Sequence, residues 1–318
     1  MPRIIAINLA ASSLPYASLC IGSLAENLGG DESIHLLTDT PRDVQQLCQA
    51  FAARRRIKVL LADPLWEDPS NPMRRYAGLE QLRRGHPCWR KLTDPMLLAG
   101  DGDEVVVVDP DVYFPRSFEF ETVGDGTLRL MWQKPNCLLP FSVVQSAFDH
   151  GVALADHTDI GIAQYRSPLD LDWLDRLVRS LGDLPRVMHV ESIVWAALAM
   201  RMGGGYLNPR RWSCWANTQW KRVLQKAGTS PRGMLNAEDL RTCLAFHAGG
   251  TAKRWLADPG AGALLEQLAG APGGKPAEDA PVLPFVPFTP RKFRWLRTRA
   301  KILQSMGYYK IMGGRPPG

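Results

Sequence analysis

Two stretches of this 318-residue chain bring together residue types that do chemistry. The first is Glu104-Val105-Val106-Val107-Val108-Asp109-Pro110-Asp111-Val112-Tyr113-Phe114. Two carboxylates arrive together where an apolar run stops. Pro110 between them has no N–H to give a ladder, so a strand ends there. Side chains at i and i+2 on either side of such a turn can converge on one hard cation. Asp-Pro-Asp is also ordinary turn chemistry, and alone it supports either reading. The second stretch is Phe246-His247-Ala248-Gly249-Gly250-Thr251-Ala252-Lys253-Arg254-Trp255. His247 by itself reads as a core or surface histidine. The glycine pair lets backbone approach a ligand closely, and Lys253 is a point charge able to meet a phosphate.

Taken together, Asp109, Asp111 and His247 supply carboxylate oxygens and an imidazole. That set suits Mn²⁺ better than Ca²⁺, and Mg²⁺ also fits. Such an ion commonly completes its shell with substrate phosphate oxygens. The expected assembly is a metal, a lysine and a glycine-lined backbone around a diphosphate.

The elements that must position these groups follow from the hydrophobic pattern. The four consecutive valines before Asp109 read as a strand buried on both faces, at the middle of a mostly parallel sheet. Residues 4–8, 34–39 and 57–61 read as further strands. Helices over 15–28 and from Pro41 towards Arg54 separate them, with proline near each start. This alternation predicts an α/β fold, a doubly wound mixed sheet with helices on both faces. In such sheets ligands bind outside the carboxyl ends of the strands. The crevice after the first strand, with Tyr16 and Asp39, is then the expected base pocket. Residues 62–88 read as loops with one short helix, and 89–98 as a helix. Further strands are expected over 127–132 and 160–163. Helices are expected over 171–181, over 190–202 with one apolar face, and over 237–243.

Residues 271–290 carry six prolines and read with 259–270 as a semi-rigid linker, after a catalytic body spanning 1–258. The net charge is +6, but the eight basic residues from Arg291 onward stand without one acidic residue, so the remainder is slightly acidic. The body therefore gives no reason to expect a nucleic-acid groove. Within residues 291–318, Phe293, Leu296, Ala300 and Leu303 fall on one helical stripe, widened by Trp295, Ile302 and Tyr308-Tyr309 and flanked by arginine and lysine. That composition suits a helix lying on an anionic membrane surface, or one docked on the body. Six scattered cysteines with no C-x-x-C pair argue against a zinc framework or a disulfide scaffold and fit a reducing compartment. Met1-Pro2-Arg3 leads straight into an apolar stretch too short for a secretory leader, and no run suits a bilayer span. The expected location is the cytoplasm, with the tail on the inner face of the membrane.

The chain resembles the GT-A glycosyltransferases, and within them glycosyltransferase family 8, whose members are retaining and use UDP-sugars. Residues His247 to Trp255 are similar to that family's H-x-x-G-x-x-K-P-W motif, with His247, Gly250, Lys253 and Trp255 in register and Arg254 for proline. Asp109 and Asp111 fall on its D-x-D. Lys91 takes the place of a sugar- or phosphate-contacting arginine. Asp159-Ile160-Gly161-Ile162 resembles the N-x-G-v segment, and Glu191-Ser192 stands where the family has Asp-Gln beside the reacting carbon. Leu207 to Trp212 resembles the L-P-x-x-W-N segment, and Tyr16 matches a tyrosine stacking near the nucleobase. The likeness runs over residues 4–256, in order.

The resemblance implies Asp109, Asp111 and His247 on the metal, and Tyr16, Asp39, Lys91, Gly250 and Lys253 on the nucleotide-sugar. Glu191 and Asp159 are implied near the reacting sugar. It also implies a Mn²⁺ or Mg²⁺ cofactor, a UDP-sugar donor and a glycan or lipid-linked acceptor. Ser13 and Pro15 depart from the family at the uracil contact, and Ser192 departs at the catalytic pair. Two competing readings are a metal-dependent nucleotidyltransferase, which would release pyrophosphate, and a non-catalytic adaptor acting through the basic tail.

Overall fold

The computed structural model describes residues 2–216, 218–270 and 282–312. Its centre is the valine run. Strand β4 (Glu104–Val108) is buried along its whole length, because β-branched side chains fill both sheet faces. Strands β1 (Arg3–Asn8), β2 (Ile34–Thr38) and β3 (Ile57–Leu61) lie to one side, all parallel to β4. On the other side the sheet turns antiparallel. Strand β7 (Thr158–Arg166) pairs with β4, and β6 (Leu128–Trp132) pairs with β7. The last two strands are β8 (Gly204–Tyr206) and β11 (Leu283–Pro284), giving the order β11-β8-β6-β7-β4-β1-β2-β3. A second sheet holds β5 (Val112–Tyr113), β10 (Ala245–His247) and β9 (Trp212–Cys214), in that order. The mixed α/β sheet is the one expected from the pattern.

The helix Leu14–Asn27 follows β1 with Pro15 in its first turn. Thr40 caps the helix Pro41–Ala50 by accepting from the Asp43 N–H. Arg54 and Arg56 do not end in solvent as free charges. Arg54 donates to the Gly22 carbonyl within the first helix, and Arg56 donates to the Ala25 and Leu28 carbonyls at its end.

Several expectations need correction. The stretch 62–88 holds two α-helices, Ala62–Glu67 and Ala77–Arg84, rather than one. The helix expected over 89–98 is broken into Arg90–Thr93 and a 3-10 turn at Asp94–Leu97, because Pro95 lacks an N–H and crowds the residue before it. Strand β7 is much longer than its apolar centre, since its polar members Asp159 and Gln164 are buried and partnered. The helix Val190–Met202 is buried on every face through Ala199 rather than on one. Residues 237–243 are not helical. There Asp239 accepts from the Arg241 backbone N–H at 3.1 Å, which competes with a helical turn.

In the stretch read as linker, Ala261–Ala269 is a helix and Leu283–Pro284 completes the sheet, while 271–281 lie outside the described residues. After it, the Phe288 N–H donates to the Leu154 carbonyl at 2.7 Å, and Phe288 enters the main core. The helix Pro290–Ser305 docks on the body through Phe293, which is fully buried, and through Leu296 and Ala300. Lys292 is paired with the buried Asp156. The stripe expected to meet lipid therefore meets the protein. A second apolar set, Trp295, Ile302, Met306 and Ile311, faces outward. Among the described residues no helix is long and apolar enough to cross a membrane.

Candidate metal and nucleotide site

The site forms where β4 ends. The Asp109 N–H donates to the Gly161 carbonyl at 2.8 Å, and the Val112 N–H donates to the Asp109 carbonyl at 3.2 Å, closing a turn around Pro110. The chain then enters β5, which pairs antiparallel with β10 so that Val112 stands opposite His247. The Ala248 N–H also donates to the Asp111 carbonyl at 3.0 Å. Two stretches about 140 residues apart are thus held in register by backbone bonds, before any ligand is considered.

His247 Nε2 lies 3.3 Å from Asp111 Oδ1 and 3.7 Å from Asp109 Oδ2. On its other edge Nδ1 lies 2.7 Å from Asp159 Oδ1. Asp159 also accepts from the Gly161 N–H at 2.9 Å. Gly161 is required by this approach, since a Cβ there would sit 2.5 Å from His247 Nδ1. Cys214 is the β9 partner of His247 and points into the same cluster.

Lys91 Nζ bridges Asp109 Oδ1 at 2.7 Å and Glu191 Oε1 at 2.9 Å. Glu191 lies in the first turn of the helix Val190–Met202, and its Oε2 is buried without a hydrogen-bond partner among the described residues. Lys253 stands over the Tyr16 ring, 5.7 Å from its centroid. Gly250 takes a left-handed φ of 66° with open space beside it.

Electrostatics follow from four clustered carboxylates, Asp109, Asp111, Asp159 and Glu191. Burial alone would lower the His247 pKa, but Asp159 and Asp111 hold it well above the ordinary value. Burial opposes ionisation of Asp111 and Asp159, yet His247 pulls both below the usual carboxylate range. Burial raises Asp109 against the pull of Lys91. It also pushes Glu191 up to about 8, with Lys91 opposing. Lys91 is burdened by its own burial, but Asp109 and Glu191 keep it protonated. Carboxylates outnumber the cations among them, the balance a divalent ion would correct. The donor set of two carboxylates and an imidazole, with ligand atoms within 4.8 Å of one another, fits such an ion.

Not every expected residue joins this group. Asp39, at the end of β2, is ion-paired with Arg90. It belongs to a separate network in which Arg83 bridges Asp63 at 2.7 Å and the fully buried Asp94 at 3.0 Å, and Asn8 donates to Asp94 at 3.2 Å. Burial raises Asp94 to about 6, against the pull of Arg83 and Arg90. The remaining Asn8 Oδ1 and the Thr38 hydroxyl oxygen are buried at the carboxyl ends of β1 and β2 without hydrogen-bond partners among the described residues. Asp159 is engaged behind the imidazole and does not face open space. Sequence reasoning missed Arg90, Asp94 and Cys214. No spacing rule reaches them, though Trp-Ser-Cys alternates as a strand. Trp212 and Trp215 are core residues, while Trp220 is exposed. A cleft of about 510 Å³ lined by Arg3, Asp31, Glu32 and Glu104 lies at the opposite strand ends, where Arg3 is already paired with both glutamates.

No protein-family model and no curated protein matches the chain. Among solved structures, mouse xyloside xylosyltransferase 1 in its apo form superposes with a TM-score of 0.47 at 10% identity, over 78% of this chain and 98% of that one. The galactosyltransferase LgtC in complex with donor and acceptor sugar analogues gives 0.46 at 16% identity, over 87% and 98%. The glycosyltransferase GlyE of Streptococcus pneumoniae gives 0.45 at 11% identity, over 88% and 66%. These are distant likenesses of shape, and the functional reading rests on the site itself.

Proposed function

We propose that this chain is a GT-A glycosyltransferase that moves a sugar from a nucleotide diphosphate, UDP foremost, to a glycan or lipid-linked acceptor. The observation that carries the reading is the convergence of Asp109, Asp111 and His247 at the carboxyl end of β4, with Lys253 and Tyr16 beside them. Asp109, Asp111 and His247 would hold Mn²⁺ or Mg²⁺, which supplies charge stabilisation to a departing diphosphate. Lys253 meets the same developing charge from the protein side. Tyr16 offers a ring beside it for the nucleobase, and Asn8 Oδ1 and Thr38 offer unpartnered polar atoms nearby in the same crevice. Lys91 fixes the carboxylate of Glu191, which faces the sugar. Asp159 acts as a positioning residue, accepting from Nδ1–H and so leaving Nε2 free as a ligand atom. Retention at the anomeric carbon is the outcome implied by the family resemblance.

Incubation with a panel of UDP-sugars and Mn²⁺ tests the reading through UDP release. Release of pyrophosphate from a nucleoside triphosphate would instead support a nucleotidyltransferase. Lys253→Ala is expected to weaken UDP binding by about 1.5–3 kcal/mol, the worth of a charge-assisted hydrogen bond, measured by calorimetry. Unchanged affinity would remove Lys253 from the donor site.

The membrane partner is part of the same proposal. The outward set Trp295, Ile302 and Met306 is interleaved with Arg294, Arg299 and Lys301, an apolar and basic face suited to an anionic leaflet on the cytoplasmic side. Cutting the chain at Thr289 would delete buried Phe293, so truncation confuses binding with unfolding. The combined Trp295→Ser and Ile302→Ser variant avoids this. It is expected to lose co-sedimentation with anionic liposomes at low salt, while neutral liposomes bind neither form. Equal sedimentation of variant and parent would exclude this face.

A further inference from the structure

His247 presents two different edges to two different donor sets. Nε2 faces Asp111 and Asp109. Nδ1 faces Asp159 and Cys214, with Cys214 Sγ 3.8 Å from Nδ1 and 3.5 Å from Asp159 Oδ2. The sulfur also lies 3.9 Å from the Trp215 carbonyl, a weak contact. Orienting the imidazole needs Asp159 alone, so the thiol is not explained by that task. Its position is fixed all the same, because β9 and β10 pair with Cys214 directly opposite His247.

We propose that Asp159, Cys214 and His247 Nδ1 form a second cation site, for a thiophilic ion of the Zn²⁺ kind, which competes with the Asp109–Asp111 side for the single imidazole. Four-coordinate zinc with bonds of about 2.3 Å to sulfur and about 2.0–2.2 Å to nitrogen and oxygen sets its ligand atoms about 3.4–3.6 Å apart. The Sγ–Oδ2 edge, 3.5 Å, already has that span, and the Sγ–Nδ1 edge, 3.8 Å, must close by only a few tenths of an ångström. With Oδ2 as the carboxylate ligand, the Nδ1–Oδ1 hydrogen bond at 2.7 Å is given up as its proton leaves, which frees Nδ1 for the ion. Thiolate and imidazole favour zinc, whereas two carboxylates and an imidazole favour a harder ion.

The proton accounting makes the two sites exclusive. As the ion binds, the Cys214 thiol proton and the Nδ1 proton pass to solvent. The neutral imidazole then carries its one proton on Nε2, donated towards Asp111 Oδ1, and Nε2 no longer has a lone pair for the harder ion. Zinc is thus expected to antagonise Mn²⁺ through the histidine rather than by filling the same hole. The competition rests on the proposed Asp109–Asp111–His247 site; the thiophilic site does not.

The test is X-ray absorption at the zinc edge on chelator-stripped full-length protein carrying one equivalent of zinc. One sulfur scatterer at about 2.3 Å is expected. In Cys214→Ser that scatterer should vanish and zinc affinity should fall by at least about tenfold, with circular dichroism reporting an intact fold. Should Cys214→Ser misfold, Cys214→Ala serves, and the parent spectrum already discriminates. Only nitrogen and oxygen scatterers in the parent, or a sulfur retained in the variant, would overturn the site. Electron paramagnetic resonance of bound Mn²⁺ tests the exclusivity: zinc that shows the sulfur scatterer should displace manganese from the parent, whereas displacement by zinc with no sulfur scatterer would mean direct competition at the Asp109–Asp111 side and overturn it. Simultaneous binding without mutual weakening would overturn the competition. A zinc–sulfur signal in a protein that never binds manganese would sink the harder site and leave the thiophilic one standing.

Discussion

Asp111→Ala is expected to abolish metal-stimulated sugar transfer, with a loss of at least about 100-fold, while the protein still folds. Among the described residues the Asp111 side chain approaches His247 Nε2 at 3.3 Å. The structural bond at this residue belongs to its backbone, whose carbonyl accepts from the Ala248 N–H whatever the side chain is. His247 also remains held by Asp159. Deleting this carboxylate therefore removes a ligand atom without unfastening β5 from β10. Steady-state rates across a manganese series, paired with thermal melting, make the check. Parent-like metal stimulation in Asp111→Ala would refute the ligand set.

Lys91→Met should do the reverse and act chiefly on stability. Lys91, Asp109 and Glu191 form a buried triad in which one ammonium serves two carboxylates. Removing one partner of a buried pair leaves uncompensated charge and costs about 3–5 kcal/mol. The cost should depend on pH. Burial has raised Glu191 from 4.5 to about 8, so its neutral form is favoured by folding. A group with a raised folded pKa gives stability that is full below its unfolded value and is lost as pH rises through the folded one. In the parent this loss falls between pH 4.5 and about 8. Without Lys91 the carboxyl rises further, and the decline extends to higher pH. Urea unfolding at several pH values would show it. A variant as stable as the parent near pH 8 would mean that the triad contributes nothing to the fold.

The parts of the molecule legible in the sequence were those with a local cause. Four valines define β4, and prolines and Thr40 mark helix starts. The pairing of Asp109 and Asp111 with His247 was readable because both stretches carry recognisable spacing. What stayed hidden depends on distant register. Strands of two or three residues such as β5, β9 and β11 carry too little pattern to declare themselves, yet β5 and β9 bring Asp111 and Cys214 to His247. No local spacing links Arg90 to Asp39, which the end of β2 brings beside it. The tail stripe was read correctly as a stripe. Its partner could not be known, because a basic helix with one apolar side suits a leaflet or a protein equally.

The burial of Phe288 and Phe293 in the main core, against Phe148, bears on how the molecule is made. A ribosome delivers the chain from its amino end, and both phenylalanines emerge after the whole of β1 to β10. Until then the main core has an unfilled wall, and β8 has an unpaired edge awaiting β11. The carboxylate cluster around His247 draws on none of these late residues. The nascent protein can therefore assemble its reactive centre before its body is sealed. Emergence of β11, Phe288 and Phe293, rather than completion of the site, is the step at which the body is expected to gain its final resistance to unfolding.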